Sequence, residues 1–278
     1  VHDIAATSMH QRNDAKVFGL TQQQLLAYAS NGWVGPFEFL DEQQSCVVSE
    51  ECEKRRDEFF SARDLKKSDH DLLCEGRPWF KSIHAHIPSL YDLCRRAEIT
   101  DRVADILGDN LLAWSTAYID AQPGHRHRWH VDVEHMLWDG ITVFVGLTGM
   151  SELTTLNVVN GSHALMESPQ ELQLRNSDDI RTFLDATGHK GEIVPVPLRN
   201  GQFFIFAGRL WHASNNQSSH LRTSLIIQYA SPSAEIRIPR TWDPPCQWSQ
   251  IRPETVLARG SAATQNIVAA RPPTGPVR

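Results

Sequence analysis

From about Asn110 onward the chain is a succession of short β-prone runs: LLAWSTAYI, RWHVDVE, ITVFVGL, LNVVN, EIVPV, QFFIFAG and LRTSLIIQYA. Gly, Pro and Asn punctuate them, and several contain the β-branched and aromatic residues that suit a pleated, half-buried surface. Many short strands at close spacing leave few architectures, chiefly a barrel or a two-sheet jelly roll. One polar insertion, from Glu167 to Lys190, interrupts them; it carries the helical-looking SPQELQLRN and DDIRTFLDATG. A long polar insertion between core strands is expected to be functional, here as a lid over a cavity.

Before Asn110 the pattern is helical. TQQQLLAYASNG reads as a helix capped by Thr21, with Gln24 at the capping-box position and Gly32 as its stop. WVGPFEFL follows as a short strand. EECEKRRDEFFSARDLKK reads as an exposed helix whose charges face solvent. SLYDLCRRAEI and TDRVADILG read as two further helices, the second capped by Thr100 and closed by Gly108. There is no repeat and no linker, which gives a single domain over 20–260, an N-terminal arm over 1–19 and a C-terminal tail over 261–278.

Composition excludes several function classes. Lys plus Arg number 27 and Asp plus Glu 33, a formal charge of −6, whereas a nucleic-acid binder needs a basic excess against phosphate. No apolar run approaches the roughly 20 residues of a membrane helix. The N-terminal VHDIAATSMHQR lacks a signal peptide's apolar core. The five cysteines are scattered with no CxxC pair, which fits a reducing cytoplasm.

The chemistry concentrates in GHRHRWHVDVEH, which holds four histidines in twelve residues. A basic surface loop or a zinc or nickel patch would account for it. On a strand, His130 and Asp132 share a face, while His125 and His127 have the opposite parity. A His-x-Asp pair supplies two of the three ligands of the facial triad that holds non-haem Fe(II). By itself the pair says little: with 13 histidines and 33 acids in 278 residues, about 1.5 copies of such a pair arise by chance. His212 adds a third ligand between the runs QFFIFAG and LIIQYA. Arg222, ten residues later, opens an apolar strand; it is either a strand-end cation in water or a planar fork for a carboxylate. Ser214 lies two residues after His212, and Ser224 shares the parity of Arg222.

The order His130-x-Asp132, His212, Arg222 on an expected jelly roll resembles the phytanoyl-CoA dioxygenase family of Fe(II)/2-oxoglutarate oxygenases. LTQQQLLAYASNGWVGPF is similar to that family's N-terminal helix and strand, and YIDAQPGHRHRWHVDVEH to its Pro-Gly loop and Trp-His-x-Asp segment. LNVVNGSHAL is similar to its stretch ending in Pro-Gly-Ser-His, and GQFFIFAGRLWHASNNQSSHLRTSL to its series of distal His-x-Ser, Asn and Arg. The resemblance spans about residues 20–230. It implies a mainly β fold with flanking helices around a double-stranded β-helix, a cupin-like jelly roll. It further implies that His130, Asp132 and His212 bind iron and that Arg222 holds the C5 carboxylate of 2-oxoglutarate with help from Ser214. Ser224, Thr116 and His127 are further co-substrate contacts on this reading. Three protein ligands leave room for bidentate 2-oxoglutarate and for O₂.

Three positions depart from the family pattern: Asn160 where Pro is usual, which should loosen that turn; Phe144 where Trp is common; and Gln202 where Asp is usual. His135 and His163 are expected to be structural or substrate-facing. Halogenation is disfavoured because the carboxylate ligand Asp132 is present. A non-catalytic jelly-roll binding protein is the alternative. The expected substrate is a small molecule, oxidised at a C–H bond by hydroxylation or oxidative cyclisation. Secondary metabolism is the expected setting, with a glycosylated antibiotic intermediate as one candidate. Arg126 and Arg128 could meet it at the cavity rim, and Trp129, Trp138 and Trp211 could offer it aromatic faces.

Overall fold

The computed structural model describes residues 16–61, 79–81, 83–85, 87–132, 140–165, 167–234, 238–239, 248–249 and 256–260. Most of the expected arm, the whole tail, His135, Trp138, Cys74, Cys246 and the sequence after Ser61 in the second expected helix lie outside the described residues.

The β-prone runs form two sheets, as the jelly-roll reading expects. The larger is built from β1 (Trp33–Glu38), β2 (Trp79–Lys81), β3 (Leu111–Ala121), β5 (Gly140–Thr148), β8 (Gln202–Ala207), β10 (Arg222–Ala230) and β13 (Val256–Arg259), in the order β1-β8-β5-β10-β3-β13 with β2 also on β3. The smaller contains β4 (Arg126–His130), β6 (Leu156–Val159), β7 (Ile193–Val196) and β9 (His212–Asn215), in the order β4-β9-β6-β7. A separate short pair joins β11 (Ile238–Pro239) and β12 (Trp248–Ser249). The pairings are antiparallel, and β10 lies between β3 and β5, with Arg222 opposite Ala121.

Alternation along the large sheet divides its side chains between two cores. Tyr118, Val143, Val145, Phe203, Ile205, Leu225 and Ile227 face the helical layer. Phe144, Phe204 and Phe206 face the small sheet and pack with Leu156 and Val158. A third cluster lies on the outer side of the small sheet, where Trp129, Val159 and Trp211 meet Ile180 and Leu184.

Helix α1 (Gln22–Asn31) has the expected capping box between Thr21 and Gln24, and it ends at Gly32 with φ 83°. Helix α2 (Glu42–Ser61) begins eight residues earlier than the charged run suggested, and it is not simply a solvated face. Ser45, Ser49, Cys52 and Arg56 form one buried stripe at helical spacing. Arg56 Nη1 donates to Asp120 Oδ2 at 2.5 Å, and Ser49 Oγ lies 2.9 Å from Thr223 Oγ1 on the sheet. These polar partners let a hydrophilic stripe pack onto the sheet without leaving buried groups unsatisfied.

Helices α3 (Pro88–Leu93) and α4 (Ala97–Leu107) follow. Thr100 does not cap α4. The helix starts at Ala97, and Thr100 sits buried inside it, its hydroxyl donating back to Arg96 O at 3.2 Å. Gly108 closes the helix as expected. In the insertion only the second half is helical: α5 (Ser177–Thr187), capped by Asn176. SPQELQLRN is instead a series of turns, held by Ser168–Glu171 bonds and ended by Gln173 at φ 57°. No described helix is long and apolar enough to cross a membrane.

The positions that depart from the family pattern are well seated. Asn160 does not loosen its turn: its Oδ1 accepts from Trp33 Nε1 at 2.8 Å and ties the turn to β1. Gln202 Nε2 donates to Glu38 Oε1 at 2.7 Å. Phe144 lies under the Arg222 guanidinium, whose Cζ is 5.6 Å from the ring centroid.

Candidate metal centre

The two histidines of the expected triad sit on neighbouring strands. His130 ends β4, and His212 opens β9 directly opposite it. The strand does not extend to Asp132, as alternation assumed. β4 stops at His130, and Asp132 occupies the following bend, fixed by its N–H donating to Gly208 O at 2.9 Å. The outcome is still convergent. His130 Nε2 and His212 Nε2 each lie 3.6 Å from Asp132 Oδ1, and one ligand atom from each of the three residues lies within 4.8 Å of the others.

The surroundings prepare these atoms for a cation. His130 Nδ1 lies 2.8 Å from Arg128 O, and His212 Nδ1 lies 2.9 Å from Leu210 O. A carbonyl only accepts, so each Nδ1 donates to it and each Nε2 is left on the side of the centre. Thr142 Oγ1 donates to Asp132 Oδ2 at 2.6 Å, which orients the carboxylate and leaves Oδ1 toward the histidines. Burial works to raise the Asp132 carboxyl. The imidazoles of His212 and His130 and the Thr142 hydroxyl outweigh it and hold the group well below the usual carboxylate range. Burial, followed by the adjacent His130, pushes His212 down to about 4. Near neutral pH the centre therefore offers a carboxylate and a neutral His212 imidazole, both ready to coordinate.

A cavity opens beside the triad, between the two sheets. Ile119, Phe144, Phe206 and Ile226 give it an apolar wall, while His125, His127, Ser214 and Arg222 give it a polar one. Arg222 is 1% exposed, and among the described residues its Nε and Nη1 find no hydrogen-bond partner. Burial lowers its pKa only to about 10, so the guanidinium stays charged at neutral pH. A buried, charged fork with free donors is costly unless an anion completes it. His125 is held low by burial and then by the charge of Arg222.

Asn216 shapes this polar end. It is fully buried; its Nδ2 donates to Ala121 O and His220 O, both at 2.8 Å, and its N–H donates to His125 O at 2.9 Å. It thereby joins the end of β3, the turn carrying His125 and the loop leading into Arg222. Gly149 permits the same loop to approach, since a Cβ there would lie 2.2 Å from Leu221 O and φ is +67°.

Other expected residues fall elsewhere. Thr116 lies on the helix-facing side of β3, opposite Ile227, and bonds His84 Nδ1 at 2.6 Å; it does not line the cavity. Ser224 is fully buried, its hydroxyl without a partner among the described residues, but it is not among the lining residues. His163 packs near Gly32, away from the triad. Trp129 and Trp211 belong to the core outside the small sheet, so neither presents a ring to the cavity. Arg126 and Arg128 are exposed on β4. His125 lines the cavity although sequence reading misses it: it shares the parity of His127, but the family resemblance reaches only His127.

The donor set fits iron. One carboxylate and two imidazoles on one side of a centre are the facial arrangement of non-haem Fe(II) sites, and the free donors of the Arg222 fork, Nε and Nη1 among the described residues, fit the far carboxylate of a dicarboxylic co-substrate. The sequence matches no curated protein. Among solved structures it resembles a non-haem monooxygenase, the ThoJ–Ni complex, with TM-score 0.63, 21% identity, and 90% of this chain and 89% of that chain covered. It also resembles CytC3 with Fe(II) and α-ketoglutarate, with TM-score 0.61, 19% identity, and 90% and 92% covered. A third is SnoK, a non-haem α-ketoglutarate-dependent carbocyclase from nogalamycin biosynthesis, with TM-score 0.58, 19% identity, and 78% and 86% covered. The profile of phytanoyl-CoA dioxygenase (PhyH) matches residues 28–224. The chain belongs to the phytanoyl-CoA dioxygenase family of non-haem iron, 2-oxoglutarate-dependent enzymes.

Proposed function

We propose that the protein oxidises a C–H bond of a small molecule, by hydroxylation or oxidative cyclisation, as a tailoring step on a natural product such as a glycosylated antibiotic intermediate. The observation that carries this reading is the pairing, in one cavity, of a two-histidine, one-carboxylate cluster with a buried arginine whose Nε and Nη1 find no hydrogen-bond partner among the described residues. Iron together with 2-oxoglutarate and O₂ supplies the oxidising equivalents, 2-oxoglutarate leaving as succinate and CO₂. His130, Asp132 and His212 hold the metal. Arg222 receives the far carboxylate of the co-substrate, with the Ser214 hydroxyl beside it. The apolar wall of Ile119, Phe144, Phe206 and Ile226 excludes water from the reacting end. The setting in natural-product biosynthesis is supported by the likeness to the nogalamycin carbocyclase.

The test is spectroscopic. Anaerobic protein loaded with Fe(II) should develop a visible charge-transfer band on addition of 2-oxoglutarate. Succinate release, screened against candidate natural products, then identifies the substrate class. Stoichiometric iron binding with no such band would leave a jelly-roll binding protein without redox turnover.

A further inference from the structure

No residue of the insertion over 167–190 lines the cavity. The insertion lies against the outer side of the small sheet, and its contacts fall on the residues that flank the metal-binding side chains. Trp129 immediately precedes His130, and its Nε1 donates to Ser177 Oγ at 3.3 Å. Trp211 immediately precedes His212, and its Nε1 donates to Glu167 O at 3.0 Å. Phe183 packs on the Trp211 ring with centroids 5.4 Å apart, and Ile180 and Leu184 complete the same cluster. Val131 stands between His130 and Asp132. Its N–H donates to Gln170 Oε1 at 3.2 Å, and its carbonyl accepts from Gln170 Nε2 at 3.4 Å.

The Gln170 contact has a clear physical purpose. β4 ends at His130, so Val131 lies just past the strand ladder. Val131 is 5% exposed, so water cannot readily serve its peptide groups. The Gln170 primary amide turns its oxygen and one of its two N–H donors to this peptide, as a neighbouring strand would. The turn that presents Gln170 is itself fixed: Leu174 N–H donates to Pro169 O at 2.9 Å, and Leu172 N–H donates to Ser168 O at 3.1 Å. From the other side Asp132 is fixed through Gly208 O.

We propose that the insertion is an external splint for the metal centre and that Gln170 is its positioning residue, setting the spacing of His130 and Asp132 through the Val131 peptide. The inference rests on the reading that His130, Asp132 and His212 hold the metal. Partners outside the ligand set commonly change metal affinity by about 10–100-fold when removed. Gln170 acts one bond further out, through the backbone, so the lower end of that range applies.

The experiment is metal titration of the purified full chain, using Co(II) followed calorimetrically, for wild type, Gln170→Ala, Gln170→Glu and Ser177→Ala, with thermal melts of the metal-free proteins alongside. Gln170→Ala should bind Co(II) about tenfold more weakly while its melting temperature changes little. Gln170→Glu keeps the acceptor for the shorter bond but sets its second oxygen against the Val131 carbonyl, so it should recover only part of that loss. Ser177→Ala, which removes only the Trp129 contact, should shift affinity in the same direction. With Co(II) saturating, 2-oxoglutarate affinity should match wild type in all three, because the Arg222 end is built from other segments. Wild type that binds no Co(II) would refute the metal reading itself. Wild type that binds, with Gln170→Ala within twofold of it, would overturn the splint. So would losses that are equal in Ala and Glu variants and follow the melting temperature.

Discussion

His127 and His130 meet at 3.1 Å between their Nε2 atoms, although three positions along a regular strand would send them to opposite faces. The register supplies the reason. His127 pairs with Ser214 and His130 with His212, so β4 advances three residues while β9 advances two. This bulge turns both imidazoles into the cavity, leaves Arg128 exposed and sends Trp129 to the outer core. His127 is thus a cavity nitrogen next to a metal-ligating one, outside the three-residue cluster.

For His127→Ala we expect a modest and selective effect. A hydrogen bond to a bound group contributes about 1 kcal/mol net, which is roughly a fivefold change in affinity. 2-Oxoglutarate affinity should fall by about that factor while Co(II) affinity stays near wild type. Unchanged 2-oxoglutarate titration would show that the bulge only packs His127 away.

Thr142 tests the orientation of Asp132. Its hydroxyl is the donor at 2.6 Å to Oδ2, and it is fully buried. Thr142→Val keeps the shape and removes the bond. Metal affinity should fall by about 10–100-fold, as for other second partners of ligating carboxylates. The fold should lose only about 1 kcal/mol, read from denaturant melts. A metal affinity equal to wild type would mean that the bend after β4 orients Asp132 without help.

These two residues also show where sequence reasoning succeeds and where it stops. The β-prone runs, the α1 capping box and the order of His130, Asp132, His212 and Arg222 are local or additive signals, and they survive folding unchanged. The bulge in β4 is invisible to alternation, because parity assumes that no residue is skipped. β9 is the four residues HASN, with little β propensity; it is a strand because β4 and β6 pair with it on either side. The side on which Thr116 falls depends on the β3–β10 register, a tertiary fact. The buried stripe of α2 is written in Ser, Cys and Arg, so its burial shows only when its partners Tyr118, Asp120 and Thr223 are in place. The insertion reads as a polar lid until Ile180 and Leu184 are seen against the two tryptophans.

Asn216 is expected to couple stability to co-substrate binding. Asn216→Asp keeps the size but removes the Nδ2 donor shared by Ala121 O and His220 O, and it brings a carboxylate toward two carbonyls in a site with no solvent exposure. Losing buried donors and adding an unpaired charge should destabilise the protein by about 2–4 kcal/mol. Since Ala121 lies opposite Arg222, 2-oxoglutarate affinity should fall more than Co(II) affinity. Chemical denaturation gives the first quantity and paired titrations the second; parallel losses of both ligands would reduce Asn216 to a general fold residue.

Arg222 should display opposite effects on stability and on binding. In the protein alone its guanidinium is buried and charged, with Nε and Nη1 lacking partners among the described residues, a net cost to folding. Arg222→Leu removes that cost, so the metal-free protein should be stabilised, by about 1–3 kcal/mol for the donors no longer left unsatisfied. Binding moves the other way. Removing one partner of a buried charged pair costs about 3–5 kcal/mol, equivalent to roughly two to three and a half decades in 2-oxoglutarate affinity. Arg222→Lys keeps the charge but loses the fork, so it should fall between wild type and Leu. Iron should still bind in both variants, because the triad contains no atom of Arg222. Thermal melts of the metal-free proteins, followed by titration of the Fe(II)–2-oxoglutarate absorption, measure the two sides separately. Equal 2-oxoglutarate affinity in the three proteins would remove Arg222 as the anchor. A Leu variant that is less stable than wild type would show that Phe144 and the cavity wall already compensate the buried charge.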